Sequence, residues 1–497
     1  MQAEREDLFT YPVPAVVNES LDYSVTVNGK KVFVERVSKY DVPLSYTHFS
    51  FSGKAKINIR VNEKVLSCSV SPKSRNIPSQ IKEDNISFSI FEPTYLVVKI
   101  NFLEYLFILA DPAESSAPKP GDANVKNIMD YGVDNTGRTS ETFRIQQAID
   151  DVSKIPGIDV LYFGAGTYLT GSINMRNNVT VYLEGGALLK ASDNPADYVE
   201  SEEELYEECR SAFIFFDGIS NAGITGRGVV DGNGRLLRSS GKKANLLRIN
   251  RCSNIRVEGI ILRDPSFWNT HIFKSEKILL KNIKVINNRP VKGWTNTDGI
   301  NPDCSKDVVI DNAFMHCGDD CFAVKGTVAS TAFGGHSGNI SIKNAVCINN
   351  SVAAKVGTET MIDIMENIEF SNFDVIQCTR GMVVDCFDYS TVLCVKFKNF
   401  SIENMVEDGP ESPKVFDIMI TDKSWRNGAG KGHICDVSAE DIKVDVMEPS
   451  SIAGMNDIHK VENVAITRFN MAGYPVSNTT EGKIETNKFV DNLTIKI

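Results

Sequence analysis

The chain has 497 residues, of which 42% are hydrophobic and 24% charged, so it is neither a disordered nor a collagen-like chain. Acidic residues outnumber basic ones, 64 to 53, and the net charge of −11 makes nucleic acid an unfavourable partner because phosphates would be repelled. The most apolar stretch, residues 95–110, is interrupted by Lys99, Asn101 and Glu104, so we predict no membrane span.

The first 112 residues contain short runs in which apolar and polar residues alternate, as in residues 23–34 and 55–61. Asn28 and Gly29 separate two such runs and are a strong hairpin signal. We therefore predict an antiparallel β-sandwich domain over residues 1–112. Residues 111–122 are rich in Pro and Ser and have no apolar period, so we assign residues 113–122 as a linker before a second domain, 123–497.

One stretch after the linker has helical spacing. Phe143, Ile145, Ala148, Ile149 and Val152 predict a helix over residues 142–152 with these side chains on its apolar face. Beyond this stretch helical spacing fades and a different pattern begins.

A short unit then recurs, in which a polar residue is followed by an apolar, any, and an apolar residue. Copies of this unit begin at Asn254, Lys277, Asp307, Asn339, Asn367 and Asn463. The first five copies are 23, 30, 32 and 28 residues apart, which is the length of a solenoid coil and too irregular for the blades of a propeller. We predict an all-β parallel β-helix with apolar residues stacked inside and asparagines at its turns.

The chain has 11 cysteines, spread from Cys68 to Cys435 without a CxxC pair. This spacing argues against a zinc site or a disulfide framework, and we predict buried single thiols and no metal or cofactor. Cys347, Cys378 and Cys394 are predicted to lie inside the solenoid.

The densest group of acids lies in residues 296–303 and 317–326. Asp298 and Asp319 are 21 residues apart, close to one short coil, and neighbouring coils are separated by about 4.8 Å. Asp320 follows Asp319 directly, and Gly318 permits a bend that turns both side chains toward the groove. We therefore predict that three carboxyl groups share one cleft.

Crowded carboxylates cannot all ionise easily, so at least one pKa should be raised. A protonated carboxyl beside two carboxylates is the combination that glycoside hydrolysis requires, with an acid for the leaving oxygen and bases for a water. Two alternatives remain open at this point. The acids could be solvated turn residues, or they could bind calcium, although no EF-hand spacing is present.

At these residues the sequence resembles the polygalacturonase-type glycoside hydrolases of family 28, which are right-handed parallel β-helices. The resemblance covers roughly residues 122–400. It rests on residues 127–137, 145–150, 224–234 and 264–271, and above all on NTDG at 296–299 and GDDCFAVKG at 318–326.

The resemblance implies an inverting mechanism in which Asp319 is the general acid and Asp298 and Asp320 hold and activate the water. It also implies that Asn296 orients Asp298 and that Lys325 lies in the cleft or supports the acids. Trp268 and His271 would line the groove and contact the sugar, or would simply pack against a neighbouring coil.

Two segments depart from the family pattern. The Gly-His-Gly segment that follows the Asp pair is replaced by SVAAKVGTE at 351–359, and His336 lies too early to supply the missing side chain. The Arg-Ile-Lys segment that binds the substrate carboxylate in polygalacturonases is replaced by Val383, Val384 and Asp385. An acid in place of a cation favours a neutral sugar beside the cut.

Some alternatives at these segments stay open. Lys355 or Arg380 could supply the missing cation. Asp385 could accept hydrogen bonds from the hydroxyls of a neutral sugar, or it could form a salt bridge with Arg380.

We predict a glycoside hydrolase that acts on a plant-type or microbial polysaccharide or oligosaccharide, and we expect it to be secreted or periplasmic, with any signal peptide outside this chain. The alternatives are a true polygalacturonase, a β-helix polysaccharide lyase that uses calcium and a basic residue, and a non-catalytic glycan-binding protein. The sequence does not indicate an oligomeric state.

Overall fold

The computed structural model describes residues 7–38, 40–201, 209–289, 296–407, 411–422 and 432–497. Almost all of its regular structure is β-strand, and it falls into an N-terminal pair of sheets and a long parallel solenoid. The predicted fold class, a parallel β-helix with an N-terminal β-sandwich, is confirmed.

Two sheets form the N-terminal part and enclose one apolar core. The strands of the first sheet are Leu8–Thr10, Asn18–Glu19, Val34–Val37, Leu44–Phe51, Cys68–Ser71, Thr94–Ile100 and Leu106–Pro112. The strands of the second sheet are Tyr23–Val27, Lys30–Val32, Ala55–Val61, Gln80–Lys82 and Asn85–Ile90. The predicted hairpin is present, with φ of 48° at Asn28 and 79° at Gly29. One pair departs from the predicted antiparallel arrangement, because Leu44–Phe51 and Leu106–Pro112 run parallel.

Two sheets form the solenoid, and their strands pair in parallel with the counterpart one coil away, except that Tyr474–Pro475 runs antiparallel to Val461–Met471. The strands of the 19-stranded sheet are Val125–Asn127, Thr136–Ser140, Val160–Phe163, Gly166–Thr170, Thr180–Leu183, Ala187–Ala191, Ser220–Gly226, Val229–Asp231, Ser253–Glu258, Ile261–Arg263, Glu276–Ile286, Lys306–His316, His336–Ile348, Ile364–Gln377, Thr391–Ile402, His433–Val444, Val461–Met471, Tyr474–Pro475 and Val490–Lys496. The strands of the 11-stranded sheet are Ile173–Asn174, Ser211–Asp217, Ala244–Asn250, Thr270–Phe273, Ile300–Asp303, Phe322–Gly326, Val352–Thr360, Arg380–Cys386, Lys414–Ile420, Ser450–Ala453 and Ile484–Thr486.

The polar residue that opens each repeat unit has a structural function. Asp307, Asn339 and Asn367 have φ of 53° to 54°, in the left-handed region that Asn and Asp tolerate best. Their side chains also bond from coil to coil, since Asn339 Nδ2 donates to Asp307 Oδ1 at 3.1 Å and Asn367 Nδ2 to Asn339 Oδ1 at 3.4 Å. The repeat in the sequence is therefore a stacked turn.

Helices are few and short in the part of the chain that the structure describes. They are the α-helices Thr142–Val152 and Gly234–Ser239 and the 3-10 helices Lys73–Arg75, Ile128–Tyr131, Pro195–Asp197 and Ala332–Gly335. The helix predicted over 142–152 is present and buries Ile145, Ala148, Ile149 and Val152, but Phe143 is exposed, contrary to the prediction. None of the helices in the described ranges is long and apolar enough to cross a membrane.

All eleven cysteines lie in described residues and are free thiols. Eight of them are buried, including Cys347 and Cys378 inside the solenoid. The prediction for Cys394 is wrong, because this residue takes a left-handed turn position, with φ of 56°, and is partly exposed.

The sandwich packs on the solenoid through an apolar interface. The Phe107 ring lies 4.9 Å from the Phe314 ring, and Tyr95 contacts Phe314 at 6.2 Å. Asp111, which the Pro-rich composition grouped with the linker, instead lies in the strand Leu106–Pro112 and is fully buried beside Lys284 of the solenoid. The chain between residues 113 and 124 connects the last sandwich strand to the first solenoid strand.

Candidate active site

The candidate site lies on the outward face of the 11-stranded sheet. In the strand Phe322–Gly326, Phe322 and Val324 belong to the solenoid core, so Lys325 points to the other face. The same alternation puts Lys355 outward, in register with Val383 on the next coil and Asp417 on the one after. Polar residues from successive coils therefore line up in rows.

Coil stacking brings the predicted acids together. The Gly299 amide donates to the Asp320 carbonyl at 2.8 Å, and the Cys321 amide donates to the Val352 carbonyl at 2.9 Å. Asp298, Asp320 and Val352 thus lie on three successive coils at the same edge of the sheet. Asp298 and Asp320 are buried and Asp319 is partly exposed.

A glycine is required immediately before the paired acids. A Cβ at Gly318 would lie 2.3 Å from Thr297 Oγ1 and 2.7 Å from the Asn288 carbonyl, closer than real contacts allow. The two coils therefore meet backbone to backbone at this point, directly beside Asp298 and Asp319. Gly318 provides a close approach between coils as well as the predicted bend.

Asp320 is held by three donors. Ser351 Oγ donates to Oδ1 at 2.7 Å, the Val352 amide donates to Oδ1 at 3.3 Å, and Lys355 Nζ donates to Oδ2 at 3.0 Å. Burial raises the pKa of Asp320, but Lys355 and Lys325 outweigh it and lower that pKa to about 2. Asp320 is therefore ionised at neutral pH.

Two backbone amides in the described part of the chain donate hydrogen bonds to Asp319. The Asn296 amide donates to Oδ2 at 3.0 Å and the Asp320 amide to Oδ1 at 2.9 Å. Burial and the negative charge of Asp320 raise the pKa of Asp319. The described contact of Asn296 is thus with Asp319, whereas the resemblance implied that Asn296 orients Asp298.

Asp298 is oriented by a residue that the sequence analysis missed. Asn301 Nδ2 donates to Asp298 Oδ2 at 2.9 Å, and Lys325 Nζ lies 3.7 Å from the same oxygen. Burial and Asp319 raise the pKa of Asp298 well above its usual value, although Lys325 opposes them. The pKa values of Asp298 and Asp319 are therefore raised, and that of Asp320 is lowered.

Trp268 and His271 are buried, so the packing alternative describes them in this structure. His271 is 0% exposed, and its Nε2 hydrogen-bonds Asp303 at 2.9 Å. The Trp268 ring packs edge-on to His271 and lies 4.7 Å from Lys325 Nζ. The prediction of direct sugar contact conflicts with this burial, because neither ring is on the surface that a sugar would meet.

Arg380 is surrounded by carboxylates. Its Nη1 lies 3.0 Å from Asp385 Oδ2 and 3.1 Å from Asp417 Oδ2, and its Nη2 lies 3.3 Å from Glu411 Oε1. Of the two alternatives for Asp385, the structure shows the salt bridge with Arg380. Burial raises the pKa of Asp385 to about 6, against the opposing effect of Arg380.

Ser351, Asn301 and Glu359 contact the predicted site residues but were not predicted. Each touches its partner across a turn or a coil, as in the 3.2 Å contact of Glu359 Oε2 with Lys325 Nζ, 34 residues away. A contact of this kind depends on coil length, which the sequence signal does not fix. His336, by contrast, is exposed and pairs with Glu366, as its early position indicated.

Substitution of Lys355 tests these charge assignments through the free energy of unfolding. The depressed pKa of Asp320 stabilises the fold by about 2 kcal/mol above pH 4, and this contribution is lost as the pH falls toward 2. Lys355→Met should therefore destabilise the protein most at pH 7, with the gap to wild type narrowing between pH 4 and pH 2 as Asp320 protonates. Urea unfolding at about pH 7, 4 and 2.5 measures this.

Lys343→Met is the control, because Lys343 is partly exposed and lies 3.8 Å from Asp311 on the other sheet. It should change stability by under about 1 kcal/mol at every pH. A gap for Lys355→Met that is the same at all three pH values would contradict the charge assignment.

A parallel β-helix with three carboxyl groups gathered at one edge of a sheet is typical of carbohydrate-active proteins, and comparison with known protein families agrees with this class. Residues 158–473, well over half of the chain, match the glycosyl hydrolases family 28, and the chain belongs to that family. The recognition of a family 28-like protein from the sequence is confirmed.

Individual relatives show how similar the chain is to known proteins. A probable polygalacturonase of Vitis vinifera is 30% identical over 258 residues, which are 48% of this chain and 52% of that protein, so the match spans about half of its length. Two solved structures share the fold over nearly the whole chain. The family 28 exopolygalacturonase of Yersinia enterocolitica has a TM-score of 0.55, is 16% identical and covers 99% of this chain and 96% of its own. Dex49A of Penicillium minioluteum has a TM-score of 0.56, is 14% identical and covers 98% and 96%.

Proposed function

We propose that the protein is an inverting glycoside hydrolase that uses Asp319 as its general acid. The observation that carries this proposal is the contrast between two adjacent carboxyls. Asp319 is partly exposed and has a raised pKa, while Asp320 is buried against Lys355 and ionised. A carboxyl whose raised pKa suits it to donate a proton is therefore held beside an ionised carboxylate that can act as a base.

In the proposed reaction, Asp319 transfers its proton to the glycosidic oxygen as the bond to the anomeric carbon breaks. A water held by Asp298 and Asp320 attacks that carbon from the opposite face and gives its proton to a carboxylate. Asn301 and Lys325 hold Asp298, and Ser351 and Lys355 hold Asp320. The configuration at the anomeric carbon is inverted because attack and departure occur on opposite faces.

The charges around the site support a neutral sugar beside the cut. Lys325, Lys355 and Arg380, the three cations predicted to lie in the cleft, each lie within 4 Å of at least one carboxylate. Three carboxylates contact Arg380 alone, from Asp385, Asp417 and Glu411. A uronate entering here would compete with these acids for each cation, whereas a neutral sugar would meet no such repulsion.

Galacturonate is the second candidate, because several relatives carry polygalacturonase names, among them the grape protein and the Zea mays exopolygalacturonases. A galacturonate-containing chain could still present a neutral residue, as in rhamnogalacturonan. The two candidates differ in the charge of the sugar next to the cleaved bond. They are therefore distinguishable with defined substrates.

A glycan panel tests the substrate proposal. We expect faster reducing-end release from a neutral α-glucan, a galactan or rhamnogalacturonan than from polygalacturonate. Asp385→Asn, which removes one carboxylate from Arg380, should raise the rate on polygalacturonate relative to the neutral glycan. Preferential cleavage of polygalacturonate by the wild type would refute the neutral-sugar proposal and leave the mechanism intact.

The same panel separates the other two classes. A lyase would release an unsaturated product that absorbs in the ultraviolet and would lose activity in chelator. A non-catalytic binding protein would retain glycans without turnover. We propose that the enzyme acts outside the cytoplasm, because its substrate is a polymer.

We propose that residues 1–112 form a separate domain that packs against the solenoid and supports the backbone of the site. The Tyr40 hydroxyl donates to the Ile286 carbonyl at 2.6 Å, and the Asp41 amide donates to Asn288 Oδ1 at 3.1 Å. The Asn288 carbonyl in turn accepts from Thr297 Oγ1 at 3.1 Å, one residue before Asp298. The sandwich is thereby connected to the backbone that presents Asp298.

A further inference from the structure

Glu359 lies beside the predicted acids but has no role in the reaction described above. It is 4% exposed and belongs to the strand Val352–Thr360, on the coil after the one that carries Lys325. Its Oε2 lies 3.2 Å from Lys325 Nζ, closer than the 3.7 Å between Nζ and Asp298 Oδ2. One ammonium group is therefore shared between two buried carboxylates.

The position of Lys325 is also limited by an aromatic ring. Its Nζ lies 4.7 Å from the centroid of the buried Trp268 ring, within the range of a cation–π contact. The side chain is 7% exposed. Lys325 is thus held between a ring and two acids, and a change in either acid redirects its charge onto the other.

From this geometry we propose that Glu359 is a positioning residue that divides the charge of Lys325 and thereby sets the basicity of Asp298. This inference rests on the proposed function. Because Glu359 draws Lys325 away, Asp298 is a stronger base than it would be with the whole ammonium charge. A stronger base accepts the proton of the attacking water more readily.

Several other charged groups lie near Asp298 and Lys325, and the expected pKa shift has to be considered with them. Asp319 and Asp320 face Asp298 and raise its pKa, and Lys325 lowers it. Lys355 faces Lys325 as a second cation, and His271 lies close to Lys325 with its pKa lowered by burial. None of these groups is removed by a change of Glu359 to glutamine, so a shift in the pKa of Asp298 reports the loss of the Glu359 charge beside Lys325.

Glu359→Gln keeps the shape of the side chain and removes its charge. Lys325 then acts on Asp298 undivided, the pKa of Asp298 falls, and the acidic limb of the kcat/KM profile moves to lower pH by about one unit. Glu359→Asp retains the charge and should keep the limb within a few tenths of a unit of the wild type. Glu403→Gln, a buried glutamate near Lys73 at the sandwich interface, is the matched control and should not move the limb.

A second readout needs no substrate. With Trp294 and Trp425 replaced by Phe, the remaining Trp268 fluorescence reports the nearby Lys325 and should titrate with Asp298. We expect its inflection to move down by about one pH unit in Glu359→Gln. An unmoved inflection in a folded Glu359→Gln protein, or the same shift in Glu359→Asp, would overturn the inference. A shifted inflection in a protein that cleaves no glycan would support Glu359 and refute the proposed function.

Discussion

Asp319→Asn is expected to lower kcat by about 10²- to 10⁴-fold on a polysaccharide with little change in KM. The asparagine Oδ1 can accept only one of the two hydrogen bonds that Asp319 accepts from the Asn296 and Asp320 amides, because Nδ2 donates, and asparagine cannot supply a proton to the leaving oxygen. The loss should be much smaller on an aryl glycoside, whose leaving group departs without protonation. Steady-state kinetics on both substrates measure the contrast.

Asp311→Asn is the matched control for this substitution. Asp311 lies on the other sheet of the solenoid and accepts a hydrogen bond from Asn344 at 2.7 Å. It should leave kcat unchanged on both substrates. Equal losses for Asp319→Asn on polysaccharide and aryl glycoside would show that Asp319 has a function other than acid catalysis, and an undiminished rate would remove it from the mechanism.

Lys284→Ala is expected to destabilise the protein by about 3–5 kcal/mol, because it leaves the buried Asp111 without its main cation. Lys284 and Asp111 are both 0% exposed and form an ion pair between solenoid and sandwich. Lys284 also donates to the carbonyls of Gly259 and Asn282, at 2.6 and 3.0 Å. Burial lowers the pKa of Lys284 to about 8 despite the presence of Asp111, which shows how strongly the site disfavours an unpaired charge.

Urea unfolding at pH 7 measures this loss, with Lys281→Ala as the control on the same strand, since Lys281 is exposed. The double variant with Lys284→Met and Asp111→Leu should recover part of the loss, because it removes both charges together. A loss below about 1 kcal/mol for Lys284→Ala would contradict a structural function of the pair. So would a double variant that is less stable than Lys284→Ala.

The solenoid was predictable because its signal is local. Each repeat needs a turn residue that tolerates positive φ and two apolar residues that stack inside, and Asn339 and Asn367 satisfy this within a few positions of sequence. The helix over 142–152 was found for the same reason. Phe143 was wrongly predicted to be buried, because apolar spacing alone does not show which residues of the helix the first coils cover.

The candidate site was predictable where two short motifs lie one coil apart. Asp298, Asp319 and Asp320 meet because the coil between them is short, and the distance along the chain indicates this. The residues that contact these acids and Lys325 were not predictable, because Glu359 reaches Lys325 over 34 residues and Asn301 reaches Asp298 across a turn. The burial of Trp268 and His271 was not predictable either, because it depends on side chains from several coils that together cover both rings.

The anomeric configuration of the first product tests the central claim most directly. Proton NMR would follow the wild-type enzyme on the best substrate of the panel, from the first turnover and before mutarotation mixes the anomers. An inverted configuration at the new reducing end is the predicted result, since the water attacks opposite the oxygen that Asp319 protonates. A retained configuration, or an unsaturated product, would contradict the proposed mechanism.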